Sequence, residues 1–225
     1  MKIAEIEQEL LQDTVTEETI QAFKTALKRV PKNSRCQHCY TTAVAMKPCF
    51  YQQALALIEY GLELCGESWF DRMRSYHNMA ILYEQNGDYH NALEAYKQAF
   101  LSVEKTQQKL YSSEYALHLM RMEMHVSNFQ YTKNLQKYYN EAIQADSFSQ
   151  AFLRNAFYKA IAELIIAQKN DDLKNMQKAY KTILEMLQPN YEGPLTALLK
   201  QKNYIETVGA TKEVLSFLEN WKTNT

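Results

Sequence analysis

Glycine and proline are scarce, with five and four among 225 residues. An all-β chain needs a turn every few residues and draws on both for it. The scarcity therefore argues against strands and for long helices with short connections. Net charge is also nearly absent, at −1, so nothing global draws the chain to nucleic acid or to an anionic membrane surface. No stretch approaches the ~20 apolar residues of a membrane span. The longest apolar patch, AIAELIIA at 160–167, is interrupted by Glu163. The opening MKIAEIEQELLQD alternates charged and apolar residues and lacks the apolar core and cleavage site of a secretory signal, so a cytoplasmic location is expected. In such a reducing compartment the four cysteines, Cys36, Cys39, Cys49 and Cys65, are not expected to form a disulfide framework.

Enzyme signatures are missing as well. There is no HExxH, GxSxG or GxGxxG. GLELCGES at 61–68 has the glycine spacing of a phosphate loop, but Glu67 stands where the lysine is needed, and a carboxylate there repels phosphate. No catalytic activity and no cofactor are expected. CQHC at 36–39 places two soft ligands at a zinc-like spacing. A zinc site needs a second close pair, which Cys49 and Cys65 do not form, and His38 points off the helical face that holds Cys36 and Cys39. Buried cysteines packing as small hydrophobes is the stronger reading, and no metal is expected.

What is present is helical periodicity in a chain that is 46% hydrophobic and 23% charged, an ordinary soluble balance. One helix is predicted over 2–12. The next is capped by Thr16, carries Glu17 and Glu18 in its first turn and presents Ile20, Phe23, Ala26, Leu27 and Val30. Pro31 stops it, and Asn33-Ser34 is expected to cap its successor. Further on, Tyr76, Met79, Ala80 and Tyr83 form one packed stripe. Asn86-Gly87 turns the chain, Asp88 caps a new helix, and Tyr89, Ala92, Leu93, Tyr96, Ala99 and Phe100 form the second stripe. Small Ala92 and Ala99 suit close helix approach. The 16 tyrosines and 9 methionines fall mostly on such packing positions.

The order large, large, small, aromatic, Gly, aromatic, Ala, aromatic, Ala over residues 73–106 resembles the tetratricopeptide repeat (TPR). Weaker copies flank it. Tyr51, Ala54, Ile58 and Gly61 stand in the order of Tyr89, Ala92, Tyr96 and Ala99, and Tyr131, Leu135 and Tyr138 follow downstream. A fourth hairpin reads SQAFLRNAFYKAIAELIIAQ, NDD, LKNMQKAYKTILEML, and a fifth begins at GPLTALLKQ. The resemblance implies an all-α, TPR-like right-handed superhelix of about five antiparallel hairpins forming one domain over 1–225. Within it, 1–33 is an N-terminal helix pair, 34–188 the degenerate repeats and 189–225 C-terminal helices. The longer-than-usual period is similar to that of TPR domains in bacterial peptide-sensing regulators.

The same resemblance implies a non-catalytic module that binds a peptide or protein segment in a concave groove lined by first helices. Asn78, two residues before small Ala80, and Arg74, four before that, take groove positions, and Arg121 takes the place of Asn78 in the next hairpin. Asn155 and Lys159 follow in the fourth. The first-hairpin Lys and Asn of a carboxylate clamp are replaced by Cys39 and Ala43. His118, Arg121 and His125 share one helix side as a partly exposed stripe. Two alternatives stay open. One is a peptide-sensing regulator without its own DNA-binding domain, and the other an immunity- or inhibitor-type protein held to one partner by another face. Neither direct nucleic-acid nor membrane binding is expected. Trp221, with Val214, Leu215, Phe217 and Leu218, forms a stripe that could cap the superhelix or join two copies. Circular dichroism should show helix with no substantial strand content. A strand-rich spectrum would contradict the repeat pattern.

Overall fold

The computed structural model describes residues 2–104, 109–144 and 150–187. Every regular element among them is helical: α1 (Ile3–Leu10), α2 (Glu17–Leu27), α3 (Lys32–Ala45), α4 (Tyr51–Leu64), α5 (Trp69–Gln85), α6 (Tyr89–Glu104), α7 (Lys109–Val126), α8 (Lys133–Ala142), α9 (Gln150–Lys169) and α10 (Leu173–Leu187). No helix among the described residues is long and apolar enough to cross a membrane. The fifth hairpin and the Trp221 stripe lie outside the described residues. By packing, the chain falls into two compact units, 1–115 and 116–225.

In the first unit, α1 pairs with α2, α3 with α4 and α5 with α6. Thr16 caps α2 by accepting from the Thr19 amide at 3.2 Å, and Ile20, Phe23, Ala26 and Leu27 are buried as the periodicity requires. The next helix starts one residue after Pro31, so Asn33 and Ser34 sit in its first turn and do not cap it. The α2 end is closed instead by Arg35, whose guanidinium donates to the Val30 and Lys28 carbonyls at 2.9 and 2.7 Å. Those carbonyls have no partner within their own helix, so a charged donor from the following helix satisfies them. Pro48–Phe50 form one 3₁₀ turn between α3 and α4.

Helix approach is set by small residues. A Cβ added at Gly61 on α4 would lie 2.7 Å from the Cys39 Cβ on α3. Only a missing side chain allows the two backbones to come so near. Ala92 and Ala99 are fully buried on α6, which packs along α5. Because α4 also packs on α5, the first helices of successive hairpins, α3 and α5, become neighbours. The structure further joins Cys36 to Cys65 as a disulfide, with Cα atoms 5.2 Å apart. This corrects the expectation from compartment alone. The α3–α4 approach brings together two cysteines that are 29 residues apart in the chain.

In the second unit, α9 pairs with α10 and α8 packs on α9. Met176, Ala179, Ile183 and Met186 recur along one face of α10 and are buried, as are Ile161, Leu164 and Ile165 on α9. The chain leaves α7 through Asn128 and Phe129, both in the left-handed region at φ 51° and 57°. Phe129 accepts that conformation while buried, and its amide donates to the Met124 carbonyl at 2.7 Å.

Gly61→Ala should force α3 and α4 apart, because the obstructing atom is a Cβ fixed to backbone and cannot rotate away. The expected loss is ~1–3 kcal/mol, read from the urea midpoint at unchanged slope. Ala92→Leu should lose a similar amount by overpacking α5 against α6. A wild-type midpoint for either variant would contradict the close helix approach at that residue.

Candidate functional site

The five polar residues expected in a groove have different surroundings. Arg74 is exposed on α5. Its guanidinium is near enough to the Tyr40 hydroxyl on α3 to offset part of the rise that burial and then Asp71 impose on that phenol's pKa. It also acts on Tyr115, whose phenol burial pushes well above the ordinary value. Asn78 and Arg121 are buried, at 6% and 7% exposure, so neither side chain presents itself to solvent. The Arg121 guanidinium lies 5.8 Å from the centre of the Tyr158 ring. Lys159 pairs with Glu163 one turn on, at 3.6 Å. Asn155 falls in α9, and its side chain lies outside the described residues.

Of the expected His118–Arg121–His125 stripe, His118 and Arg121 are buried and His125 is half-buried. His118 is buried at 6%, and the His125 Nε2 meets the Tyr158 hydroxyl at 3.2 Å. Burial, and then the Arg121 charge, lower the His125 pKa to about 4. Glu123, on the same helix and buried, accepts from Thr132 Oγ1 at 2.7 Å. Thr132 in turn caps α8 through the Leu135 amide at 2.9 Å. A buried carboxylate thus fixes the turn into the next helix.

The CQHC segment serves packing. Cys36 and Cys39 are fully buried, and burial pushes the Cys39 thiol up to about 12, so it is neutral at physiological pH. His38 faces the other way and meets Glu7 on α1 at 2.6 Å. Among the described residues, no group of three His, Cys, Asp or Glu side chains could hold a metal ion.

The sequence reading missed two clefts built by one repeated turn. After α5 the chain runs Asn86, Gly87, Asp88, and after α9 it runs Asn170, Asp171, Asp172. Gly87 and Asp171 are left-handed, at φ 76° and 53°. The amides of Gly87 and Asp88 donate to Glu84 and Tyr83 carbonyls at 3.0 and 2.9 Å, and those of Asp171 and Asp172 to Gln168 and Ala167 at 3.2 and 3.0 Å. This is the paired closure of a Schellman end. Asp88 then caps α6 by accepting from the Asn91 amide and side chain at 3.2 and 2.7 Å. Asp172 does the same for α10 with Asn175, at 3.1 and 2.6 Å. The recurring signal Asn-x-Asp-x-x-Asn was visible in the sequence.

Each turn meets the second helix of the preceding hairpin across a cleft, but the walls differ. In the second unit the cleft is about 260 Å³ and combines Glu163, Asp172 and Lys178. The Tyr139 hydroxyl donates to Glu163 at 3.0 Å, and burial and that carboxylate raise its pKa. With Lys159 also on Glu163, carboxylates and ammonium groups share this corner. In the first unit the cleft is about 400 Å³, and its walls include Tyr51, Tyr83, Glu59 and Asp88 but no cationic side chain among the described residues. The two rings meet edge to face, with centroids 6.3 Å apart. Burial, then Glu59 and Asp88, raise the Tyr83 pKa. Burial, then Tyr83 and Asp88, raise that of Tyr51.

No protein-family model, curated protein or solved structure matches this chain.

The half-buried, neutral His125 makes stability pH-dependent. Its folded pKa is below its unfolded value of ~6.5, so its contribution is complete above ~6.5 and is lost as pH falls toward about 4. Unfolding titrations should show stability falling by up to ~1.4 kcal/mol per pH unit in that window. His125→Gln should flatten that slope, and an unchanged slope would contradict a neutral, half-buried imidazole.

Proposed function

We propose that the protein is a non-catalytic, cytoplasmic helical-repeat module of TPR-like, superhelical organisation that binds an extended peptide segment of a partner protein. The observation that carries this reading is the position of Arg74. It is an exposed guanidinium on α5, beside the Tyr40 hydroxyl of the neighbouring first helix α3. Its hydrogen bond to the Tyr40 hydroxyl limits the freedom of this long side chain, so less entropy is lost when it forks onto a carboxylate. Stacked hairpins repeat one face, so the first helices offer a continuous strip to an extended chain. Arg74 is the anchor in this proposal, because Asn78 and Arg121 are buried and Lys159 is engaged by Glu163.

Selection of a random displayed-peptide library on the wild-type chain should enrich sequences bearing an aspartate or glutamate. Arg74→Ala should weaken the enriched peptides roughly tenfold to a hundredfold, as expected for one charge-assisted hydrogen bond. The thermal midpoint should hold, since Arg74 is exposed. Failure to enrich any peptide, or undiminished binding by Arg74→Ala, would contradict the proposal.

A further inference from the structure

We infer that the first-unit cleft between α4 and the α5–α6 turn receives the guanidinium of an arginine side chain from a bound peptide. This goes beyond the Arg74 face and does not depend on it.

Four features of the cleft converge on a cation. Its wall combines two tyrosine rings with two carboxylates, and none of its lining residues among those described is basic. Tyr51 and Tyr83 stand at 72° to one another, so one ring can offer a face where the other offers an edge. A ring face attracts a cation within ~6 Å of its centre. Glu59 is exposed on α4 and supplies a carboxylate oxygen pair. Asp88 spends one oxygen on the Asn91 amide and the other on its side chain, yet its negative charge still faces Tyr51 and Tyr83. The equivalent cleft of the second unit is a natural comparison. It has Lys178 in its wall and Lys159 on Glu163, so its acids already have basic company.

Guanidinium fits this wall better than ammonium. It is planar, stacks on a tyrosine face, is weakly hydrated and can fork onto one carboxylate, whereas ammonium is a compact and strongly hydrated point charge. The volume of about 400 Å³ exceeds what one side-chain head fills, leaving room for adjacent backbone. Gln52 and Asn91, at the same wall, carry amide groups able to donate to and accept from that backbone. A peptide-borne arginine therefore uses more of the cleft than a free small guanidine does.

The test uses the full chain and a blocked hexapeptide with one central arginine among alanine and glycine. Matched peptides carry lysine or citrulline at that position, and L-argininamide is the small-molecule arm. Calorimetry gives the affinities, and the side-chain amide signals of Gln52 and Asn91 report the location. The arginine peptide should bind saturably and move both amide signals. Citrulline, isosteric but neutral, should bind roughly tenfold more weakly or worse. Glu59→Gln should weaken binding roughly threefold to tenfold, as expected for an exposed ion pair assisted by a ring. Glu59→Lys should abolish it, while Arg74→Ala should leave it unchanged. Asp88 is left intact because it caps α6. Absence of saturable binding, equal binding of the citrulline peptide, or wild-type affinity in Glu59→Lys would each overturn the inference. L-argininamide binding as tightly as the peptide would overturn the assignment to a peptide. Loss of binding in Arg74→Ala would overturn the independence of the two sites.

Discussion

Two helices of a hairpin come closest where a residue at their contact carries no side chain or a very small one. In the first unit that happens at Gly61, whose missing Cβ would otherwise meet the Cys39 Cβ at 2.7 Å. Much of the unit follows from this approach. It buries Cys36 and Cys39, brings Cys65 to Cys36, and sets α4 at a depth from which it can also pack on α5. Cys36 then contacts Ser75 on α5, Sγ to Oγ 3.3 Å, so α3 and α5 touch directly. A single hairpin cannot cover its own apolar stripe, and this chain of contacts hands the uncovered face of one hairpin to the next.

The polar groups divide according to the same geometry. Where first helices are covered, their polar residues are absorbed into the interior, as Asn78, Ser75, Arg121 and Glu123 are. Buried polar atoms need partners, and the Glu123–Thr132 bond shows one being used to fix a turn. Where hairpins end, the turn residues remain accessible and their acids cap the next helix. Arg74 on a helix face and the Asp88 turn are two polar features of the first unit that remain accessible. One of these is positive and the other negative.

Much of the helical layout was legible in the sequence. Few glycines and prolines, strong caps at Thr16 and Asp88, and 3–4 spacing of apolar residues are local signals that helices obey almost regardless of context. The fourth hairpin, read as SQAFLRNAFYKAIAELIIAQ, NDD and LKNMQKAYKTILEML, coincides with α9, its turn and α10 within a residue. The site was far less legible. Whether Asn78 or Arg121 reaches solvent depends on how neighbouring elements cover its helix, which spacing along one helix does not encode. The Cys36–Cys65 pair depends on an approach between residues 29 apart, and compartment arguments pointed the other way. The clefts arise from a helix and a turn belonging to different hairpins, so neither segment announces them alone, although the repeated Asn-x-Asp-x-x-Asn was there to be compared.

The stacking of successive first helices is what the proposed binding face rests on, and a paramagnetic label tests it directly. Gln37 is exposed on α3, one residue from Cys36, which reaches the Asp71 carbonyl and Ser75 on α5. A nitroxide on Gln37→Cys, with exposed Cys49 changed to serine, should strongly broaden the amide signals of Asp71 to Ser75. Reducing the nitroxide to its diamagnetic form should restore them. Signals for Asp71 to Ser75 that stay sharp beside the active radical would show that α3 and α5 are not neighbours, and would contradict the account.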